Sequence, residues 1–184
     1  MKKITFFLTT AFFVASNLSP AAADSYNYTP YAGIDYTYNL VSAAGYKPYY
    51  NAAGLHIGSD YGRYFGTELF FNLSNGHKHH KDDTSIKTSY RAYGLDLMAY
   101  LPFGKNDCFA LLGTAGAGEY IYKITVDPAK HHNEHGFGYR VGGGFKYAFN
   151  ENWGFRAIAR YINFDKIDFY KHAMEYSAGI EYHF

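Results

Sequence analysis

Histidines placed among carboxylates and lysines are the residues of this sequence that could do chemistry most directly. One group lies between Asn75 and Asp83, and a second lies between Lys130 and His135. Imidazole and carboxylate groups together suit zinc, nickel or copper. Their spacing differs from the HExxH pattern, and histidines in loops have no fixed neighbours that would orient their rings. We therefore favour solvated polar loops over a metal site and predict no cofactor. The weak metal-ligand candidates are His77, His79, His80, His131, His132 and His135.

A hydrolase would need a serine or threonine nucleophile beside a histidine and a carboxylate. Ser74 lies close to His77 in the sequence, but no further spacing identifies a triad. Gly113, Gly116 and Gly118 form no dinucleotide fingerprint, because no helix is predicted to follow them. The sequence therefore predicts a protein that is not an enzyme.

Cysteine content and charge exclude further classes of protein. The single cysteine, Cys108, excludes an internal disulfide framework and a CxxC zinc site. The formal net charge of +1 argues against a nucleic-acid binder that works through a basic surface. With 21 tyrosines, 16 phenylalanines and 19 glycines, the composition favours strands and tight turns.

The first residues have the pattern of a secretory signal peptide. Lys2 and Lys3 precede an apolar run, and Pro20 then breaks that run before three alanines. The apolar run is too short to span a bilayer comfortably as a helix. We predict a cleaved signal peptide at residues 1–23 and a single mature domain at residues 24–184.

Short segments of alternating polarity are the elements that would position the candidate residues. One face of each segment is mostly apolar or aromatic, and the other carries glycines, small polar residues and single charges. Strict alternation of this kind is typical of strands. The eight predicted strands are Pro30–Leu40, Asn51–Asp60, Tyr64–Leu73, Ile86–Leu101, Phe109–Tyr122, Phe137–Phe149, Trp153–Tyr161 and Met174–Phe184.

Connections between these segments alternate in length, as they do in a transmembrane up-and-down barrel. Long connections fall near residues 41–50, 75–85, 123–134 and 165–172, and short ones near 61–63, 102–107 and 150–152. A β-sandwich is the alternative, but its solvent face would carry lysine, glutamate, serine and threonine. A face of glycines and single charges suits a narrow interior instead. The sequence therefore predicts an all-β, eight-stranded antiparallel up-and-down transmembrane β-barrel.

The charges on the predicted inward face should meet across the narrow lumen. Charges left unpaired in a confined interior would be costly, so we expect a plugged, ion-paired core that contributes stability. His56 and His183 lie on the same face as titratable additions. The predicted lumen charges are Asp35, Asp60, Glu68, Asp96, Arg140, Lys146, Arg156, Arg160, Glu175 and Glu181.

Four motifs give the mature chain a family resemblance. They are Tyr139–Tyr147 (YRVGGGFKY), Asn152-Trp153, Arg160-Tyr161 and the ending Ile180–Phe184. The chain resembles the small outer-membrane β-barrel proteins of Gram-negative bacteria, namely the opacity-like surface antigens and the OmpA/OmpX-type eight-stranded barrels. A terminal phenylalanine after alternating apolar residues looks like the signal read by the outer-membrane assembly machinery. The residues that match this signal are Tyr182 and Phe184.

The resemblance implies a location in the bacterial outer membrane and a function carried by four extracellular loops. The implied partners are outer-membrane lipid and lipopolysaccharide, the outer-membrane assembly machinery, and a host or surface ligand at the loops. We therefore predict a surface protein with a surface antigen, adhesin-type or envelope-integrity role. The alternative is a narrow pore for small solutes or ions.

Overall fold

The computed structural model describes residues 28–43, 49–74, 77–81, 84–104, 107–126, 130–165 and 170–184. The predicted signal peptide lies outside these residues. Almost every described residue belongs to a β-strand. The strands are β1 (Tyr28–Ala43), β2 (Tyr49–Tyr61), β3 (Phe65–Ser74), β4 (His77–Lys81), β5 (Thr84–Phe103), β6 (Phe109–Val126), β7 (Lys130–Ala148), β8 (Trp153–Asp165) and β9 (Tyr170–His183).

The strands close into a barrel with eight positions. Each strand is antiparallel to its neighbours, in the order β3-β2-β1-β9-β8-β7-β6-β5-β4, and a further pairing of β3 with β5 completes the ring. β3 and β4 lie end to end along β5, with Leu73 opposite Arg91 and His77 opposite Thr88. They therefore share one barrel position, and the predicted eight-stranded up-and-down barrel is confirmed.

Alternation along each strand separates an apolar outer wall from a buried interior. Ile34, Leu55, Leu95 and Val141 point outward, and between 47% and 59% of each side chain is exposed. The residues between them face inward and are mostly buried. Aromatic residues and leucines make up most of the outer wall, and aromatic side chains fit a pleated surface well. Within the described residues, no helix is long and apolar enough to cross a membrane.

The strands extend further than the sequence predicted at the end opposite the chain termini. β4 lies inside the predicted 75–85 connection, and β6 and β7 reduce the predicted 123–134 connection to residues 127–129. The placement of the candidate histidines in loops is therefore wrong. His77, His79 and His80 lie on β4, and His131, His132 and His135 lie on β7. β-branched residues favour strands, and Ile86 and Val126 are directly paired. The hydrogen-bonded pairing of β5 with β6 therefore continues past the charged residues near these strand ends.

Tight turns connect the strands at the end that holds the chain termini. Gly62 has a φ of 65°, a left-handed conformation that glycine adopts at little cost. In another turn the Asn150 side chain accepts hydrogen bonds from the backbone N–H groups of Asn152 and Trp153, at 2.9 and 2.8 Å. These turns hold neighbouring strands in register at the periplasmic end of the barrel.

The outward orientation of Leu95 gives a direct test of the barrel wall. Leu95→Arg would place a charge on the lipid-facing surface and should lower the free energy of unfolding by about 2–4 kcal/mol at mid-bilayer depth. Denaturant unfolding in lipid vesicles measures the effect, and Leu95→Met serves as the matched apolar control. An arginine variant as stable as the methionine variant would contradict the assigned face.

Candidate functional site

The interior of the barrel holds all ten of the predicted lumen charges. Each of them occupies an inward position of its strand, and most are almost completely buried. Asp96 is 0% exposed and Arg156 is 2% exposed. Burial of this extent requires paired charges, because an isolated ion in a low-dielectric interior is strongly destabilising. The pairs form three groups along the barrel axis.

The central group is built around Arg156 of β8. Its guanidinium donates to both Asp35 oxygens, at 3.2 and 2.7 Å, and forms two contacts with the Glu68 carboxylate. His56 Nδ1 lies 2.8 Å from Asp35 Oδ2, and its Nε2 lies 3.9 Å from Glu181. One guanidinium therefore bridges carboxylates from β1 and β3, and a fully buried imidazole supports the first of them.

A second group lies nearer the extracellular end and contains two arginines. Arg140 of β7 forms a two-point ion pair with Asp96, and its Nη1 lies 3.4 Å from Glu175. Arg160 of β8 contacts the same two carboxylates, at 3.4 and 3.3 Å. The Arg140 guanidinium also lies 3.2 Å from the centroid of the Phe70 ring, a cation–π contact.

A third group lies near the periplasmic mouth and is partly open to solvent. The Lys146 ammonium lies 2.7 Å from Glu181 and 3.1 Å from Asp60. His183 also contacts Glu181, at 3.0 Å. Below this group a cavity of about 260 Å³ opens between Asp60, Lys146 and Cys108. Water therefore reaches this group more easily than the other two.

Barrel closure brings these charges together across its diameter. The pairs Glu68–Arg156 and Asp60–Lys146 each join strands on opposite sides of the ring. Room for them comes from glycines directly opposite a carboxylate. A methyl group on Gly116 would collide with Asp96, which is its cross-strand partner. The glycine face predicted from the sequence therefore makes space for the ion pairs.

An aromatic cluster fills the interior above the ion pairs, and it is not among the features predicted from the sequence. Tyr50, Tyr90, Tyr120 and Tyr122 are each 0–1% exposed and pack in one buried cluster. The ring centroids of Tyr90 and Tyr122 lie 5.7 Å apart. The sequence does contain a signal for this cluster, because these tyrosines continue the inward-facing alternation of their strands beyond the glycines. Together, the tyrosines and the ion pairs fill the described lumen.

The remaining candidates are not assembled into a site by the described residues. The side chains of His77, His79, His80, His131 and His132 lie outside the described residues, so the metal-ligand hypothesis stays a prediction. His135 is exposed and lies 3.8 Å from Glu119. Among the described residues, no group of three or more histidine, cysteine or acidic side chains is arranged so that it could hold a metal ion. Tyr182 and Phe184 pack against each other at 5.2 Å, and their role as an assembly signal stays a prediction.

A closed barrel with an apolar outer wall and a buried, charge-paired interior defines an outer-membrane β-barrel protein. The chain belongs to the family described as the outer membrane protein beta-barrel domain, whose model matches residues 7–184. The predicted family and outer-membrane location are therefore confirmed. A comparison with curated proteins finds no significant match to this sequence.

Solved structures of outer-membrane proteins share this fold. Ail, the attachment invasion locus protein of Yersinia pestis, was solved in complex with the heparin analogue sucrose octasulfate. It is 17% identical with a TM-score of 0.63, and the match covers 85% of this chain and 99% of Ail. Neisserial surface protein A is 18% identical with a TM-score of 0.59, and the match covers 84% of this chain and 97% of that protein. A major outer membrane protein of Thermus thermophilus is 9% identical with a TM-score of 0.64, and the match covers 86% of this chain and 100% of that protein. At these identities the likeness shows the fold alone.

The central arginine should contribute strongly to stability. Arg156→Met leaves Asp35 and Glu68 without their main partner and should lower the free energy of unfolding by about 3–5 kcal/mol. The matched control is Arg63→Gln, which breaks the exposed pair with Asp107 and should cost less than about 1 kcal/mol. Unfolding by denaturant in detergent or lipid measures both variants.

A double variant distinguishes the effect of losing a charge partner from the effect of losing side-chain volume at Arg156. Adding Glu68→Gln to Arg156→Met removes one of the unpaired carboxylates and should restore part of the stability. If Arg156→Met cost no more than Arg63→Gln, the buried network would not stabilise the barrel.

Proposed function

We propose that this protein is a surface-display barrel, in which the membrane-spanning part is a rigid scaffold and the extracellular strand ends carry recognition. Its role is then of the surface antigen or adhesin type. The observation that carries this proposal is the filled interior, since it leaves the extracellular end as the part of the molecule open to a ligand. Loops and strand ends on a rigid scaffold are also where binding residues concentrate in proteins generally.

The lengths of the strands support the same proposal. β5 has 20 residues, β6 has 18 and β7 has 19. A tilted strand crosses the hydrocarbon core in about 9–11 residues. Several residues of each of these strands therefore project beyond the membrane as paired hairpins. Such hairpins present a fixed surface at lower entropic cost than free loops.

An envelope-integrity role and a narrow pore are the alternatives. An envelope role would use the barrel wall and the periplasmic turns, whereas a pore would use the inward charges. The pore is disfavoured because Arg140, Arg156 and the tyrosine cluster occupy the lumen from side to side. Eight strands also leave an interior that is only wide enough for side chains.

Trimming the projecting hairpins tests the display function. Because His77 lies opposite Thr88 and Tyr122 lies opposite Glu134, each pair can be joined by an Asn-Gly turn without a change of register. Bacteria that display the trimmed protein should adhere at background level to heparin-coated plates, whereas bacteria that display the full-length protein should adhere above background. The gel mobility shift on heating should persist, since the barrel remains intact.

The matched control replaces a turn at the other end of the barrel. Tyr61 and Phe65 are also directly paired, so an Asn-Gly turn there alters one periplasmic hairpin and should leave adhesion unchanged. Adhesion that survives trimming of both extracellular hairpins would contradict the proposal, as would full-length protein that adheres no better than cells without it.

Conductance distinguishes the pore alternative. The reconstituted protein should give no steady single-channel current in a planar bilayer, because the ion pairs and tyrosines leave no continuous water path. Reproducible current steps whose ion selectivity changes in Arg156→Gln would instead support the pore.

A further inference from the structure

The buried ion-pair network contains more acids than permanently charged bases. Within the described lumen, six carboxylates face three arginines and one lysine, and six minus four leaves two negative charges without a cation. The second group is balanced, because two arginines meet two carboxylates there. The central group has one arginine for two carboxylates, and the third group has one lysine for two. Each of these two groups is short of one cation, and each contains one histidine, namely His56 and His183.

Both nitrogens of each imidazole face carboxylates. His56 Nδ1 lies 2.8 Å from Asp35 Oδ2, and its Nε2 lies 3.9 Å from Glu181 Oε2. His183 Nε2 lies 3.0 Å from Glu181 Oε1, and its Nδ1 lies 4.0 Å from Asp60 Oδ2. A neutral imidazole has one N–H and one lone pair, whereas an imidazolium donates from both nitrogens. In the neutral form, one nitrogen of each ring would therefore point a lone pair at an acid.

Burial makes the neutral form of His56 unfavourable. The residue is 1% exposed, and its Nε2 has no hydrogen-bond partner in the described part of the chain. A buried lone pair that faces a carboxylate is repelled by it, and a low-dielectric interior screens the two groups only weakly. A proton on Nε2 converts this repulsion into attraction between the imidazolium and Glu181. The geometry therefore favours a positively charged His56.

The other charged and titratable groups around the two imidazoles leave this balance unchanged. The groups that face His56 are Tyr31, Asp35, Glu68, Arg156 and Glu181. The groups that face His183 are Tyr31, Asp60, Tyr100, Lys146 and Glu181. The two phenols are uncharged near neutral pH, since tyrosine ordinarily ionises at about pH 10. Arg156 and Lys146 oppose a further positive charge, but with four carboxylates present the sum reaches zero only when both imidazoles are charged.

The contacts of these histidines form a continuous series from the periplasmic mouth to the centre of the barrel. The series runs through Asp60, His183, Glu181, His56 and Asp35. Glu181 is the shared member, with one imidazole at each of its two oxygens. The cavity of about 260 Å³ beside Asp60 opens this end of the series to water, while the tyrosine cluster fills the interior above the ion pairs. Protons therefore exchange with the periplasmic side.

We propose that His56 and His183 are both imidazolium ions in the closed barrel, and that together with Glu181 they form a pH-sensitive bridge between the central and third groups. Histidine in an unfolded chain loses its second proton at about pH 6.5. The bridge therefore contributes fully to stability below that pH, and its contribution is lost as the pH rises and the folded barrel releases its protons. This bridge lies in the interior and does not depend on the proposed display function.

Nitrogen-15 NMR of the histidine-labelled protein, refolded in detergent micelles, measures the charge of each imidazole directly. A protonated ring nitrogen and a nitrogen with a free lone pair have well-separated chemical shifts. At about pH 7.5, where a solvent-exposed histidine is mostly neutral, both nitrogens of His56 and of His183 should carry protons. The variants His56→Gln and His183→Gln assign the signals. A neutral imidazole at either position would overturn the proposal.

The pH dependence of unfolding counts the protons that the closed barrel holds. Each proton bound by the folded chain but not by the unfolded chain changes the unfolding equilibrium constant about tenfold per pH unit. Between about pH 7 and 9 the constant should therefore rise with a slope that approaches about a hundredfold per pH unit. His56→Gln or His183→Gln should reduce the slope to about tenfold. Urea unfolding in phosphatidylcholine vesicles measures it, with Cys108→Ser in every protein so that the thiol does not titrate in the same range.

Glu181→Gln distinguishes a charge role of the histidines from a packing role. It removes the carboxylate that both imidazoles share but keeps both histidines, so five lumen acids face four bases and only one imidazolium is needed. The slope should then fall to about tenfold per pH unit. The matched control is His172→Gln, which should keep the wild-type slope because the His172 ring packs on Tyr161 of the outer wall, with centroids 5.6 Å apart. A wild-type unfolding constant that is unchanged over this pH range, or a slope that Glu181→Gln and both lumen histidine variants leave undiminished, would also overturn the proposal.

Discussion

The narrow interior of an eight-stranded barrel is the constraint on which the rest of this structure depends. The bilayer requires every backbone group to be paired, and closure of the sheet satisfies that requirement. Closure then leaves room for side chains only. Charges brought into that space must face opposite charges, as Arg156 faces Asp35 and Glu68. Glycines such as Gly116 must stand where the carboxylates need space. Interior composition, pairing and packing are three consequences of one small diameter.

The same constraint divides the molecule into parts with different freedom to vary. Interior positions must form ion pairs or pack in the tyrosine cluster, and outer-wall positions must be apolar to contact lipid. Neither requirement applies to the projecting ends of β4 to β7. Polar and basic residues accumulate there, with the histidines of β4 and β7 at the far end and Arg91 and Lys123 close to the aromatic wall. The proposed recognition surface and the lipid-facing wall therefore lie at adjacent levels of the same hairpins.

Sequence alternation was sufficient to predict the fold and the inward face, but it was insufficient for the contacts. A period of two residues separates the faces of any strand, and this period predicts inward positions for Asp35, Asp96 and Arg140. Which acid meets which base depends on the curvature that puts Glu68 opposite Arg156, and no local pattern contains that information. Charge and histidine content predict loops for the histidine-rich segments, even though these segments contain β-branched residues such as Ile86 and Val126. The cross-strand ladder overrides that local preference.

The distance along the chain between interior partners has a consequence for how this protein is assembled. Asp35 belongs to the first strand and Arg156 to the second-to-last barrel strand, and the two residues are 121 positions apart in the sequence. Lys146 and Asp60 are 86 positions apart. A partly inserted sheet would hold these ions without counter-ions, and contacts so distant in sequence form late. We therefore expect insertion to be cooperative, because the ion pairs stabilise only the closed ring.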